Sequence, residues 1–499
     1  MSLEQLAVTL LVGAAIVLAA VVGVRLADRL GVPGLLLYLG LGILIGETVP
    51  ALDLTDAELA TVLGYAALVV ILAEGGLTTR VSELRPVLWP SLVLATVGVG
   101  ASIAAVAVPL VLLLGLDWRS ALLLGAVLAA TDAAAVFSVL RRLHLAPRLK
   151  GLLEAEAGFN DAPVVVLVAL ISSGSFGESP WWTVPLLVVG EIAGGAVVGV
   201  LVGFAGRWLM PRLALPSVGL YPIAAMALIV GAYGVADLVH ASGFMAVYVS
   251  AVIIGSSQVP HRRSVVGFAE ALAWTAQIGL FVMLGLLADL GRLPSAVGVA
   301  AVAGAALIVL GRPLAAVVSL VPFRWPGRWV AFVSWAGLRG AVPIVFAAIP
   351  LGAAVPGAER VFDATLLLVL VLTVLQTPTL PWFARRLGVA QAAEPDELEV
   401  ESAPLDGVNA TVLGIDVPAG SKLVGVYVEE LGLPHGAVVS LVVRGDEVVV
   451  PSTTTRLRAG DRMVVVAAAG AREQAERRLR AVSRRGRLAG WLGDRGAPD

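Results

Sequence analysis

The sequence predicts an all-α polytopic membrane protein of about thirteen transmembrane helices, two of them interrupted, followed by a small α+β domain. Three observations carry this. Apolar runs of about 20 residues recur along residues 1–388, enough to cross a hydrocarbon layer about 30 Å thick. The 499-residue chain is 59% hydrophobic and only 14% charged, against about 25% charged in soluble domains. Near residue 389 the composition then changes. AQAAEPDELEVESAPLDG is acidic, polar and without apolar periodicity, and short alternating apolar runs follow it. The chain therefore divides into a membrane domain (1–388), an acidic linker (389–408), a small domain (409–470) and a basic tail (471–499).

The spans are placed at 4–24, 32–47, 59–77, 87–114, 119–140, 151–172, 184–206, 217–238, 242–256, 267–288, 295–317, 329–350 and 363–384. The start, MSLEQLAVTLLVGAAIVLAAVVGV, lacks a basic n-region and a cleavage site leading into soluble sequence, so it reads as the first span. On this parse alternate loops collect seventeen Lys and Arg, among them Arg25, Arg29, Arg141, Arg142 and Arg312. The opposite loops hold three, Arg119, Arg292 and Arg360. Basic residues favour the cytoplasmic side. The expectation is a multi-pass protein of the cell membrane, with its N-terminus outside and its C-terminal domain cytoplasmic. The absence of Cys excludes disulfides, thiolate metal sites and Cys nucleophiles. The four His show no metal-ligand spacing, and the Gly spacings are those of helix packing rather than phosphate loops. Neither a cofactor nor a nucleic-acid partner is expected.

Charges inside the spans are the functional signal, because an ionisable residue at mid-bilayer costs several kcal/mol. LLEAEAGFNDAPVVVLVAL places Glu154, Glu156, Asn160 and Asp161 within the sixth span. Asp161 lies about 16 Å from its basic end at 1.5 Å per residue, near the midplane. Asp132 in the fifth span and Arg339 in the twelfth fall at about the same depth. Glu154, Ala157 and Asp161 share one helix face, while Glu156 and Asn160 lie on another. Glu156 is therefore expected to form a structural ion pair with Arg339. Asp161 beside Asp132 needs a further positive species, a proton or a metal cation. Glu154 sits nearer the mouth. Glu74 reads equally as an ion-path residue and as a carboxylate reaching back to water. Glu191 and Asp237 read as structural or interfacial.

The fifth and twelfth spans both look broken, at Thr131-Asp132 with its run of Ala and at Gly337, Arg339, Gly340 and Pro343. Interrupted helices at corresponding places in two halves point to an ion site between inverted repeats. The correspondence holds if spans 8–13 repeat spans 1–6.

ATDAAAV, EAEAGFNDAPV, GLRGAVPI and ILAEGGL resemble the signature segments of the monovalent cation:proton antiporters, in the NhaP-like branch related to sodium/proton exchangers. The resemblance covers the whole membrane domain and implies an NhaA-like fold. It implies that Asp161 binds the ion and the proton, that Thr131 and Asp132 help coordinate the ion at the helix break, and that Asn160 stands where charge-moving relatives have a second Asp. It implies too that Glu156 pairs with Arg339 and that Glu74 contacts the ion through water. Ala157 departs from the family, which often has Ser there.

The segment NATVLGIDVPAG to PSTTTRLRAGDRMVVVAAA alternates apolar residues in short runs, with one helix expected near 421–431. It resembles the TrkA-C domain, the C-terminal lobe of potassium-conductance regulators. That resemblance implies a homodimer and a small regulatory ligand such as a cyclic dinucleotide or nucleotide. The final AREQAERRLRAVSRRGRLAG reads as a solvated basic helix near an anionic membrane surface. Together these imply an electroneutral K+/H+ antiporter working by alternating access at Asp161, with Na+/H+ exchange as the alternative. A regulated cation channel is the reading from another class. It lacks a repeated filter loop of carbonyl donors. A membrane enzyme would need a nucleophile and base, and no such motif is present.

Overall fold

The computed structural model describes residues 7, 11, 13–23, 34–48, 56–140, 143, 145–174, 176, 180, 182–257, 259–390, 400–404, 410–418, 420–445, 447–468 and 470–491. The beginning of the first span, Arg25, Arg29, Arg141 and Arg142, parts of the acidic linker, and the end of the basic tail lie outside these residues. The chain separates into two units, Met1–Ala390 and Gln391–Asp499.

The first unit is helical. In order it contains α1 (Gly13–Gly23), α2 (Gly34–Thr48), α3 (Ala57–Thr78), α4 (Leu88–Leu114), α5a (Trp118–Ala129), α5b (Ala133–Leu140), α6a (Pro147–Phe159) and α6b (Asp161–Ser172). There follow α7 (Thr183–Leu209), α8 (Leu220–Leu238), α9 (Gly243–Gly255), α10 (Arg262–Leu286), α11 (Leu293–Phe323), α12a (Gly327–Ala336), α12b (Ala341–Gly352) and α13 (Ala358–Arg386). Among the described residues, eight helices are long and apolar enough to cross a membrane, and nine if α12a and α12b, bent by 54°, count as one span. The four shorter apolar helices α1, α2, α5a and α9 lie where the sequence predicts spans, but each is too short to meet that length alone.

Small residues let these helices approach closely, as packing in lipid requires. Gly195, Gly199 and Gly203 recur every four residues on α7, and a Cβ at any of them would press on α9. Two helices widen into a π turn, α4 at Leu94–Gly98 and α11 at Leu307–Gly311. The turn in α11 immediately precedes Arg312-Pro313 and lets the helix run on past a proline that cannot donate a backbone hydrogen bond. The sequence reading of Arg312 as a basic loop residue is thereby corrected. Arg312 is buried within a 31-residue apolar helix.

The second unit is an antiparallel sheet with strand order β1-β2-β5-β3-β4 and one packed helix. The strands are β1 (Val400–Pro404), β2 (Ala410–Asp416), β3 (Ala437–Arg444), β4 (Glu447–Val449) and β5 (Asp461–Ala468), and α14 spans Arg472–Arg485. Three expectations change here. Part of the acidic linker is a strand, with Val400 opposite Ile415 and Pro404 opposite Thr411. The helix expected near 421–431 is a single 3-10 turn, Val428–Leu431. The basic tail is not a detached solvated helix over its first half. Ala475, Leu479 and Val482 of α14, spaced i, i+4 and i+7, join Leu413, Ile415, Met463 and Val465 in one core,.

Asp461 braces this unit. Its buried carboxylate accepts two bonds of 2.8 Å from the Arg444 guanidinium and one of 2.8 Å from the Arg458 N–H. The Arg444 bond holds its carboxyl below the usual carboxylate range. A depressed carboxyl stabilises the fold above its unfolded value, about pH 4, and that contribution fades as pH falls through the lower folded value. Asp461→Asn is expected to cost the domain about 2 kcal/mol at neutral pH. Faster hydrogen exchange over β2 and β5 of the full chain is the measurement, and exchange unchanged from the native chain would contradict it.

Candidate ion-exchange site

Two helix breaks meet at the centre of the membrane unit. Between α5a and α5b, Ala130, Thr131 and Asp132 leave the helix. Between α12a and α12b, Gly337 to Gly340 do the same. Such breaks free backbone groups that must find partners. The Asp132 N–H donates to the Leu338 carbonyl at 3.0 Å, and the Ala341 N–H at the start of α12b donates to Asp132 Oδ2 at 3.3 Å. The carboxylate thus faces the positive end of a helix. Gly340 is required by this approach, since a Cβ there would collide with the Asp132 carboxylate. On the far side Thr373 of α13 donates to the Arg339 carbonyl at 2.9 Å, and Arg312 donates to the Val333 carbonyl at 3.0 Å.

The sixth span is itself interrupted, at Asn160. Pro163 lacks the N–H that would otherwise reach the Phe159 carbonyl, so the turn loosens there. Asn160 Nδ2 donates to Thr131 Oγ1 at 2.5 Å, joining this interruption to the α5 break. Asn160 Oδ1 has no hydrogen-bond partner, and neither does either carboxylate oxygen of Asp161, which is 0% exposed. Asp132 lies within electrostatic reach of Asp161. A fully buried carboxylate without a protein partner is costly unless it holds a proton or a cation. The two Asp161 oxygens, Asn160 Oδ1 and the Thr131 hydroxyl are oxygen donors of the kind hard cations prefer.

The expected Glu156–Arg339 pair is corrected. Glu156 Oε1 accepts from Arg312 Nη1 at 2.6 Å, and both side chains are buried. Arg339 is 1% exposed, and its three guanidinium nitrogens have no hydrogen-bond partner. It lies within electrostatic reach of Glu156 and Arg312 without bonding to either. Gly337 makes room for Arg312, whose guanidinium fills the place a Cβ would take. Sequence reasoning missed Arg312 because it counted the residue with the basic loops and weighed only Arg339 as a partner for Glu156. The signal available was that the predicted span 295–317 already ran through Arg312-Pro313.

Of the other predicted residues, Glu154 is buried and pairs at 3.7 Å with Lys150, the more exposed of the two. Ala157 is buried and offers no ligand atom. Glu74 is buried on α3, where its carbonyl accepts from the Thr78 hydroxyl at 3.1 Å. The structure therefore joins Thr131, Asp132, Asn160 and Asp161 through the two breaks. It sets Glu156, Arg312 and Arg339 together as a second group.

Comparison with known proteins shows the family of the chain. Residues 16–386 match the family described as sodium/hydrogen exchanger, transmembrane, and residues 412–480 match the TrkA-C domain. The chain is 32% identical over 458 residues to the K(+)/H(+) antiporter NhaP of Alkalimonas amylolytica, covering 89% of this chain and 78% of that one. It is 33% identical over 466 residues to the K(+)/H(+) antiporter NhaP2 of Shewanella oneidensis, covering 91% and 80%. It is 31% identical over 355 residues to the Na(+)/H(+) antiporter NhaP of Pseudomonas aeruginosa, covering 66% and 81%. In fold it resembles the sodium proton antiporter MjNhaP1 from Methanocaldococcus jannaschii, with a TM-score of 0.65 at 22% identity over 77% of this chain and 99% of that one. Matched over most of its membrane unit and similar along nearly its whole length to these relatives, the chain belongs to the sodium/hydrogen exchanger family, as a cation/proton antiporter of the NhaP type carrying a C-terminal TrkA-C domain.

Proposed function

We propose that the protein exchanges one cytoplasmic K+ for one proton at Asp161 by alternating access, electroneutrally, under control of its TrkA-C domain. The observation that carries this reading is the Asp161 carboxylate, wholly buried with both oxygens unpartnered. Proton and cation compete for it, and only an occupied site is cheap enough to cross. The charges support a one-to-one exchange. Asp132, Asp161 and Glu156 against Arg312 and Arg339 leave one negative charge, which one proton or one monovalent cation neutralises. Preference for K+ rests on the names of the relatives that span both domains and on the TrkA-C domain. Na+ is the second reading, favoured by the Pseudomonas aeruginosa relative. Proteoliposomes with an internal pH dye, challenged with K+ and Na+ separately, test it. A pH response to neither ion would overturn the proposal, and a response that changes with imposed voltage would overturn electroneutrality.

The same reading counts α1, α2, the α5 pair and α9 as spans, giving thirteen, with the N-terminus outside. Paired irregularities support an inverted repeat of spans 1–6 in spans 8–13. The π turns of α4 and α11 correspond, as do the breaks of α5 and α12. The TrkA-C domain is proposed to dimerise and to bind a small cytoplasmic ligand. It can bias transport only if that ligand binds differently in the two transport states. A chain ended at residue 394 is therefore expected to exchange cations for protons and to lose its response to cyclic dinucleotide, nucleotide or cytoplasmic pH. Transport rates of both chains in matched vesicles check this. Loss of exchange in a well-folded truncation would make the domain part of the transport machinery.

A further inference from the structure

We propose that Tyr248 is the gate between Asp161 and the Lys150 end of the membrane unit. The inference rests on the reading of Asp161 as the exchange site and names what closes the way to it. Glu154 and Gly158 stand at i and i+4 on one face of α6a, and Asp161 and Ala162 open α6b just past the interruption at Asn160,. Glu154 stands near the Lys150 end, with Asp161 about 10 Å further along at 1.5 Å per residue. Tyr248, from α9, covers the middle of this face. Its ring lies so close over Gly158 that a Cβ there would stand 2.8 Å from Cδ2 and nearer still to Cε2 and Cζ. Phe159 meets the ring edge-on, with centroids 5.3 Å apart and planes at 82°. Tyr248 is 0% exposed, as is Ala162 one turn beyond. On this proposal a cation or proton moving from Glu154 to Asp161 passes this ring, which packs on Gly158 between them.

The hydroxyl explains why the ring can move. It lies beside Thr79 and Glu154 yet makes no well-aligned hydrogen bond. A buried phenol in that condition gains by turning toward a better partner. Glu154 is the carboxylate within electrostatic reach of it. A swing toward Glu154 lifts the ring from Gly158, opens the face, and puts a polar oxygen beside the path. The ring closes the path when it returns to the space that Gly158 leaves. Gly158 is thus a positioning residue, and Tyr248 the moving part.

The chain contains no Cys, so a single Ala162→Cys substitution in the full-length protein reports access past the ring. Vesicles of both orientations would be treated with a charged, membrane-impermeant methanethiosulfonate, and the labelling rate measured. With native Tyr248, the introduced thiol is expected to react slowly from both sides. Tyr248→Ala should raise the rate about tenfold or more from the Lys150 side alone, as expected when a closed segment becomes open. Tyr248→Phe keeps the ring and should stay protected. Gly158→Ala displaces the ring and should behave as Tyr248→Ala does, which keeps the test intact if the larger deletion fails to fold. Equal labelling in Tyr248→Ala and native backgrounds would overturn the gate, as would fast labelling of the native background. Fast labelling in Tyr248→Phe would move the closure from the ring to the hydroxyl and overturn it too. Labelling reads access rather than transport, so the gate can fail while exchange at Asp161 stands, and the reverse.

Discussion

Asp161→Asn is expected to abolish cation/proton exchange while leaving the protein as stable as the native chain or more so. The amide has nearly the shape of the carboxyl but neither titrates nor carries the charge that draws a cation. The stability half of the expectation follows from the surroundings. Neither Asp161 oxygen has a protein partner, and the side chain is wholly buried. A structural carboxylate would lose its bonds on becoming an amide. A carboxylate kept for transport loses only a burial penalty. Exchange in proteoliposomes and the thermal midpoint of the same purified protein give the two readouts. Retained exchange would remove Asp161 from the mechanism. A midpoint lowered by several degrees with exchange lost would make it a structural residue instead.

The legible part of this site was its depth. Helical rise alone puts Asp132, Asp161 and Arg339 at one level, and small-residue runs mark the breaks at 130–132 and 337–340. The contacts across the breaks were not legible, because they join segments far apart in sequence. Nothing in ATDAAAV says that the Asp132 N–H will find Leu338, or that Gly340 is small because the Asp132 carboxylate presses on it. The partner of Glu156 was misread for a local reason. A π turn carries α11 through Arg312-Pro313, yet Arg312 was grouped with the basic residues of the loops, which left Arg339 as the one cation weighed at that depth. In the second unit, charge concealed a buried stripe. Six of the fourteen residues of α14 are Arg, yet Ala475, Leu479 and Val482 hold it in the core. Long Arg side chains can surround such a stripe without disturbing it.

The second large effect is expected at Glu156. Glu156→Gln removes the one carboxylate among two buried guanidiniums, leaving Arg312 without its 2.6 Å partner and Arg339 without its nearby counter-charge. Leaving a buried charge uncompensated costs about 3–5 kcal/mol, which is enough to impair assembly. Arg312→Gln should cost less. Arg339 already lies close to Glu156 with three unbonded nitrogens, so a side-chain shift would give the carboxylate a second partner. Arg339→Gln should be milder still, because the ion pair remains and an unpartnered buried charge is removed. The double change Glu156→Gln with Arg312→Gln should fall below Glu156→Gln alone, since one of the two stranded cations goes with it. Thermal midpoints and the yield of monodisperse protein give the order directly. Ion selectivity should stay the same in every variant that folds, because these groups do not hold the cation. If Glu156→Gln matches the native midpoint, the pair is not what holds α6a against α11 and α12a. If Arg339→Gln is the most damaging of the three, Arg339 rather than Arg312 is the partner on which the fold depends.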